Sequence, residues 1–137
     1  MRRAFGCVAL AGLIGAAPSF AADFEVSVTE TGTRDYYCTT TVEVANNADV
    51  RLNEINAKLV LLDGDERVGE TSAGSMLGAD PGATASVVLD APNAPCDAIS
   101  AYTLVIGICR IDGSFVKAGD CAGRVAVAEP ILGVEPN

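Results

Sequence analysis

Histidine and tryptophan are both absent from the 137 residues. Without an imidazole, nucleophile triads that use His as the base are excluded. Zinc and most other transition metals lose their commonest ligand. Met76 is the only thioether besides Met1, so a copper carrier built on Met and His has nothing to bind with. No Cys-x-x-Cys pair occurs, which argues against a thiol–disulfide oxidoreductase. Basic residues are scarce, 9 against 18 acids. That balance argues against nucleic acid or anionic lipid as a partner. Lys58, Arg67 and Arg124 are scattered and form no anion cradle. No apolar run reaches the roughly 20 residues of a membrane-spanning helix, so no membrane anchor is expected.

The start of the chain has the pattern of an export signal. Arg2 and Arg3 precede an apolar run from Ala4 to Ala17, followed by Pro18 and Ser19-Phe20-Ala21. Small residues at Ser19 and Ala21 suit a signal peptidase, so residues 1–21 are expected to be removed. Cys7 has too short an apolar stretch ahead of it for a lipid-modified cysteine, and it leaves with the signal peptide. The mature chain, 22–137, holds 7 basic residues against 18 acids, a net charge of −11. Its size is that of one domain. Cys38, Cys96, Cys109 and Cys121 remain, an even number in an exported chain, which reads as two disulfides in a periplasmic or secreted protein.

The apolar residues recur with a period of two. Phe24, Val26 and Val28 alternate with polar neighbours, as do Thr40, Val42 and Val44. So do Ile55 to Leu61, Ala85 to Leu89, and Tyr102 to Ile108. Such alternation predicts half-buried strands at about 24–30, 37–45, 54–62, 66–70, 83–90, 100–110 and 123–129. Asn46-Asn47, Asp63-Gly64-Asp65, Asp80-Pro81-Gly82 and Pro92 to Pro95 supply the turns. Ser72 to Gly78 fits either a short edge strand or a loop. Tyr102 suits either a tyrosine corner or an ordinary core position. Pro130 to Asn137 reads as a frayed tail. The expected fold is all-β: an immunoglobulin or fibronectin-III-like antiparallel β-sandwich of about seven strands with two disulfides.

Strand directions restrict the cysteine pairing. Cys38 opens its strand at one end of the sandwich, and Cys96 leads into the 100–110 strand at that same end. Cys109 and Cys121 both lie at the opposite end. A bridge needs Cα atoms about 4.4–6.8 Å apart, whereas a ten-residue strand spans about 33 Å. Cys38–Cys96 with Cys109–Cys121 is therefore favoured. Setting Cys109 opposite Cys121 on an antiparallel strand puts Ile106 against Arg124. A bulge near Gly119 or Gly123 is then required.

The second bridge clasps "CRIDGSFVKAGDC", residues 109–121. Asp112-Gly113 turns the chain inside it. Phe115 then either points outward as an anchor or folds back to cap the core. Asp112, Phe115, Val116 and Lys117 are the candidate partner-binding residues. Asp63, Asp65, Glu66 and Glu70 in "LLDGDERVGE" are the only candidates for a carboxylate enzyme or calcium site. Their spacing matches no EF-hand loop, and Asp-Gly between strands is first of all a hairpin turn.

The stretch from Val42 to Leu89, in "VEVANNADVRLNEINAKLVLLDGDERVGE" and "LGADPGATASVVLDAP", resembles the FxLYD-type domains of bacterial envelope proteins. The shared elements are Asn46-Asn47, the apolar alternation from Ile55 to Leu61, Leu61-Leu62-Asp63-Gly64, and Pro81-Gly82. Leu62 stands where that family has an aromatic, and the four cysteines are additions to its pattern. The resemblance implies a non-catalytic immunoglobulin-like sandwich and carries no catalytic residue across. The expected function is an exported binding or adaptor module with a protein partner, no enzyme activity and no cofactor. The alternatives are an inhibitor-like protein using loop 109–121 and a calcium-dependent module or carboxylate enzyme at Asp63 to Glu70.

Overall fold

A computed structural model describes residues 22–137; the export signal expected at 1–21 lies outside them. Ten strands form two facing sheets. The strands are β1 (Phe24–Arg34), β2 (Tyr37–Asn46), β3 (Leu52–Asp63), β4 (Glu66–Glu70) and β5 (Gly74–Ala79). They continue with β6 (Thr84–Pro92), β7 (Ala101–Ile111), β8 (Ser114–Val116), β9 (Val125–Val127) and β10 (Ile131–Pro136). One sheet has the order β6-β2-β1-β9. The other has β10-β7-β3-β4, with β5 also on β3 and β8 on β7. A single helical turn, α1 (Ala118–Ala122), lies between β8 and β9.

Alternation places the core. Along β2, Cys38, Thr40, Val42, Val44 and Asn46 are buried and the residues between them are not. They face Ile55, Ala57, Leu59 and Leu61 of β3 and Leu104 and Ile106 of β7, all essentially inaccessible. Burying each large aliphatic side chain contributes roughly 1.5–3 kcal/mol. Thr40 and Asn46 are the polar members of that row, and Asn46 is fully hydrogen-bonded. Its Nδ2 donates to the carbonyls of Val50 (2.8 Å) and Ala79 (2.9 Å), and its Oδ1 accepts from the Ala48 amide at 2.9 Å. Those three bonds tie the loop after β2 to the end of β5.

The structure alters the expected sandwich at its margins. Ser72 to Gly78 resolves as β5, antiparallel to β3. Gly74 begins it because a Cβ there would sit 2.7 Å from Leu89 Cδ2 in the facing sheet. The strand expected at 123–129 is shorter, and it pairs in parallel with β1 in the other sheet rather than antiparallel with β7. The tail at 130–137 is not frayed. β10 pairs in parallel with β7, Ile131 is buried, and Asn137 N–H donates to the Ile106 carbonyl at 2.8 Å. Pro130 marks a reversal instead of an end. It is the cis third residue of a turn closed by Ile131 N–H on the Ala128 carbonyl. The expected all-β, two-sheet sandwich with two disulfides is thus the fold, and the described residues add short strands to the expected seven, to ten in all, with two parallel pairs among the antiparallel ones. Tyr102 is a buried residue of the core.

Candidate functional site

The disulfides join Cys38 to Cys96 and Cys109 to Cys121, with Cα atoms 5.4 and 6.1 Å apart. The register conflict at the second bridge does not arise. Cys121 sits on α1, not on a strand opposite Cys109, so Ile106 never meets Arg124. Both sulfurs are fully buried.

Between these cysteines, β7 turns into β8. Ile111 pairs with Ser114, Arg110 with Phe115 and Cys109 with Val116. Asp112 and Gly113 form the two-residue loop with φ of 49° and 79°. Positive φ at both positions gives the type I′ turn that the right-handed strand twist favours. The loop is docked as well as turned. Asp112 N–H donates to the Arg51 carbonyl at 2.8 Å, and Gly113 N–H to Asn53 Oδ1 at 2.7 Å. After α1, Arg124 Nε donates to Asp23 at 2.6 Å and its guanidinium lies 5.4 Å from the Phe24 ring centre. The clasp is thus held to the sandwich on both sides.

On this base Phe115 is 73% exposed. It does not fold back over the core. Arg110 lies across the hairpin from it, with the guanidinium carbon 5.9 Å from the ring centre. Val116 is half-buried and packs on the core. Asp112 and Lys117 are exposed. Of the four candidate contact residues, three therefore reach solvent, and Val116 anchors the strand that carries them. Arg110 is a member that the sequence alone does not mark.

The carboxylates at 63–70 do not converge. Gly64 and Asp65 form the β3–β4 turn, with Gly64 at φ 60°. Asp63 and Glu66 flank that turn as a cross-strand pair. Glu70 is engaged by Lys58 at 3.3 Å and Arg67 at 2.5 Å. Among the described residues no group of three or more His, Cys, Asp or Glu is placed to hold a metal ion.

A second exposed aromatic lies at the other end of the sandwich. The β1–β2 hairpin runs on beyond Val28, and Tyr36 at its tip is 84% exposed. Asn93 N–H donates to the Tyr36 carbonyl at 3.0 Å, and the Cys38–Cys96 bridge lies at its base. The strand signal was there: Thr29, Thr31 and Thr33 alternate with Glu30, Gly32 and Arg34. Because both faces are polar, hydrophobic periodicity could not register it.

Fold and bridges together define a two-disulfide immunoglobulin-like β-sandwich. The solved structure of IrmA from Escherichia coli is similar, with a TM-score of 0.58 at 12% identity over 80% of this chain and 93% of that one. At such identity the likeness is one of fold. A GH20 exo-β-N-acetylglucosaminidase from Vibrio harveyi gives a looser match, with a TM-score of 0.40 and 14% identity over 85% of this chain and 19% of that one. No family model and no curated protein matches the chain. Among the described residues no helix is long and apolar enough to cross a membrane.

Proposed function

We propose that the protein is an exported, non-catalytic binding or adaptor module of the cell envelope, and that the clasped hairpin 109–121 is its contact surface. The observation that carries this reading is the exposure of Phe115 on a hairpin fixed by a bridge, a type I′ turn and two docking hydrogen bonds. A large apolar ring on a rigid base loses little conformational freedom on binding, and such rings dominate interface energetics. Two disulfides support an oxidising compartment. The basic-then-apolar start and Ser19-Phe20-Ala21 support export with a mature start at Ala22. The likeness of Val42 to Leu89 to FxLYD-type domains leans the same way.

The test is paired capture from an envelope extract, using the oxidised protein and its Phe115→Ala variant. A partner held by the first and lost by the second supports the reading. Equal capture by both overturns the role of the hairpin. Mass spectrometry of the native protein should find Ala22 at its start; a retained residue 1–21 segment overturns export.

A further inference from the structure

The β1 edge is only half covered. β9 pairs with it from Phe24 to Val26, and Ala128 N–H bonds the Val26 carbonyl before the chain turns away. β1 itself continues to Arg34. From Val28 to Thr33, one side of it has no strand partner among the described residues.

The hairpin tip decides which main-chain groups face outward. Asp35 and Tyr36 form a two-residue loop closed by Arg34 opposite Tyr37. Such a loop makes its closing pair hydrogen-bonded, and main-chain direction alternates along the strand. Arg34 and Gly32 therefore address β2, while Thr31 and Thr33 offer N–H and C=O to the open edge. Unpaired edge groups of this kind pair readily with another extended chain.

A cleft of about 240 Å³ lies beside the same residues, lined by Thr31 and Thr33 on one side and Asp97, Ile99 and Tyr102 on the other. The bridge fixes its width, since Cys96 Sγ sits 3.9 Å from the Gly32 carbonyl oxygen. Thr40, opposite Thr31 on β2, is buried with an unpartnered hydroxyl. Two further depressions adjoin the hairpin. They lie over the outer face of β1, β2 and β6, so the charged groups next to the open edge itself are Glu30 and Asp97 against Arg34.

We propose that the β1 edge from Glu30 to Thr33 takes an extended cationic peptide of a partner protein as an added strand, on the same side of β1 as β9. Thr31 and Thr33 bond its main chain. Alternate side chains enter the cleft over Ile99 and Tyr102 beside Asp97, and the others carry Lys or Arg toward Glu30 on the outer face of β1. Beyond the bulge at Thr29 the regular edge runs from Glu30 to Thr33, and its four residues span about 13 Å, enough for a short added strand. A second copy of this chain fits worse, because it brings the same acidic excess against Glu30. The site is separate from the Phe115 hairpin, at the opposite end of the sandwich, so either can fail without the other.

The probe is a capped Lys-Val-Lys-Val-Lys-Val hexapeptide titrated into the oxidised protein, with amide hydrogen exchange read residue by residue. With nine-tenths of the protein bound, exchange at Thr31 and Thr33 should slow about tenfold, and that of the 109–121 hairpin should not change. N-methylating the peptide residues that face β1 should abolish binding; methylating the alternate set should not. Glu30→Gln and Asp97→Asn should each weaken it about two- to fivefold. Absence of saturable binding, equal binding of both methylated forms, or binding that leaves Thr31 and Thr33 unprotected overturns the proposal. Protection that appears with protein concentration alone overturns it in favour of a second copy.

Discussion

Arg110 and Phe115 face each other across one hairpin, the guanidinium carbon 5.9 Å from the ring centre, with Phe115 73% exposed. An exposed cation–π contact is worth about 0.5–1 kcal/mol. Phe115→Ala should therefore cost no more than about 1 kcal/mol of stability, against about 3–5 kcal/mol for truncating a core phenylalanine. At roughly 4–8 °C per kcal/mol for a domain of nearly this size, the melting temperature should fall by only a few degrees. Thermal melting by circular dichroism checks this. A fall of 15 °C or more, on the order of the core value, would mean that the ring is buried in solution.

The two bridges should differ in what their removal costs. Cys38 and Cys96 are 58 residues apart, Cys109 and Cys121 only 12. In the chain-entropy model the longer loop is worth about 4 kcal/mol and the shorter about 3 kcal/mol. Urea titration of the two double Cys→Ala variants should rank them in that order. The larger local effect should nevertheless come from opening the short bridge, because α1 is a single turn that its buried Cys121 attaches to β7. Non-reducing peptide mapping should return Cys38 with Cys96 and Cys109 with Cys121. A peptide joining Cys38 to Cys109 would contradict the strand directions.

The carboxylates at 63–70 should not act as a calcium site. Asp63 and Glu66 flank a two-residue turn, and Glu70 is already paired with both Lys58 and Arg67. A ligand that binds only the native state stabilises it by RT ln(1 + [L]/Kd). Melting with about 1 mM calcium should therefore match melting without it, since even a site with a Kd near 0.1 mM would add about 1.4 kcal/mol.

Most of the sandwich was legible because burial on one face writes itself as alternation. β2, β3 and β6 bury every second residue over much of their length, whereas β7 buries 101–102 and 104–106 in runs and exposes Ile108, which the alternation had placed inward; Gly64, Gly82 and Asp112-Gly113 mark turns through positive φ. The bridges followed from strand direction alone, even though Cys121 turned out to lie on a helical turn. The rest was hidden for separate reasons. Glu30 to Arg34 extends β1 with polar residues on both faces, so hydrophobicity is silent there. Arg110 became part of the candidate surface only through a cross-strand pairing with Phe115. The open β1 edge depends on where β9 stops, which is a fact of tertiary arrangement. Parallel pairing of β9 and β10 also leaves no local mark, since its partners are distant in sequence.

The C-terminal strand gives the sharpest test of the difference between sequence and structure. Pro130 to Asn137 reads as a loose end in the sequence, and a register shift between Ile131 and Gly133 breaks the alternation that would have exposed the strand. Yet Ile131 is 2% exposed and packs in the core, and Val134 packs against it. If the tail were frayed, Ile131→Ala would change stability by no more than about 0.5 kcal/mol, as at other surface positions. In the structure it deletes a buried side chain at the margin between the sheets, and the expected loss is about 2–5 kcal/mol. Removing residues 131–137 altogether should cost at least as much, because β7 would lose its parallel partner and the carbonyl of Ile106 its donor. Leu132→Ala, on the exposed neighbour, is the control and should be nearly silent. Urea denaturation of the three variants decides between the two descriptions. Equal midpoints for Ile131→Ala and Leu132→Ala would return the tail to a loose end, and a wide separation makes β10 part of the folded sandwich in solution.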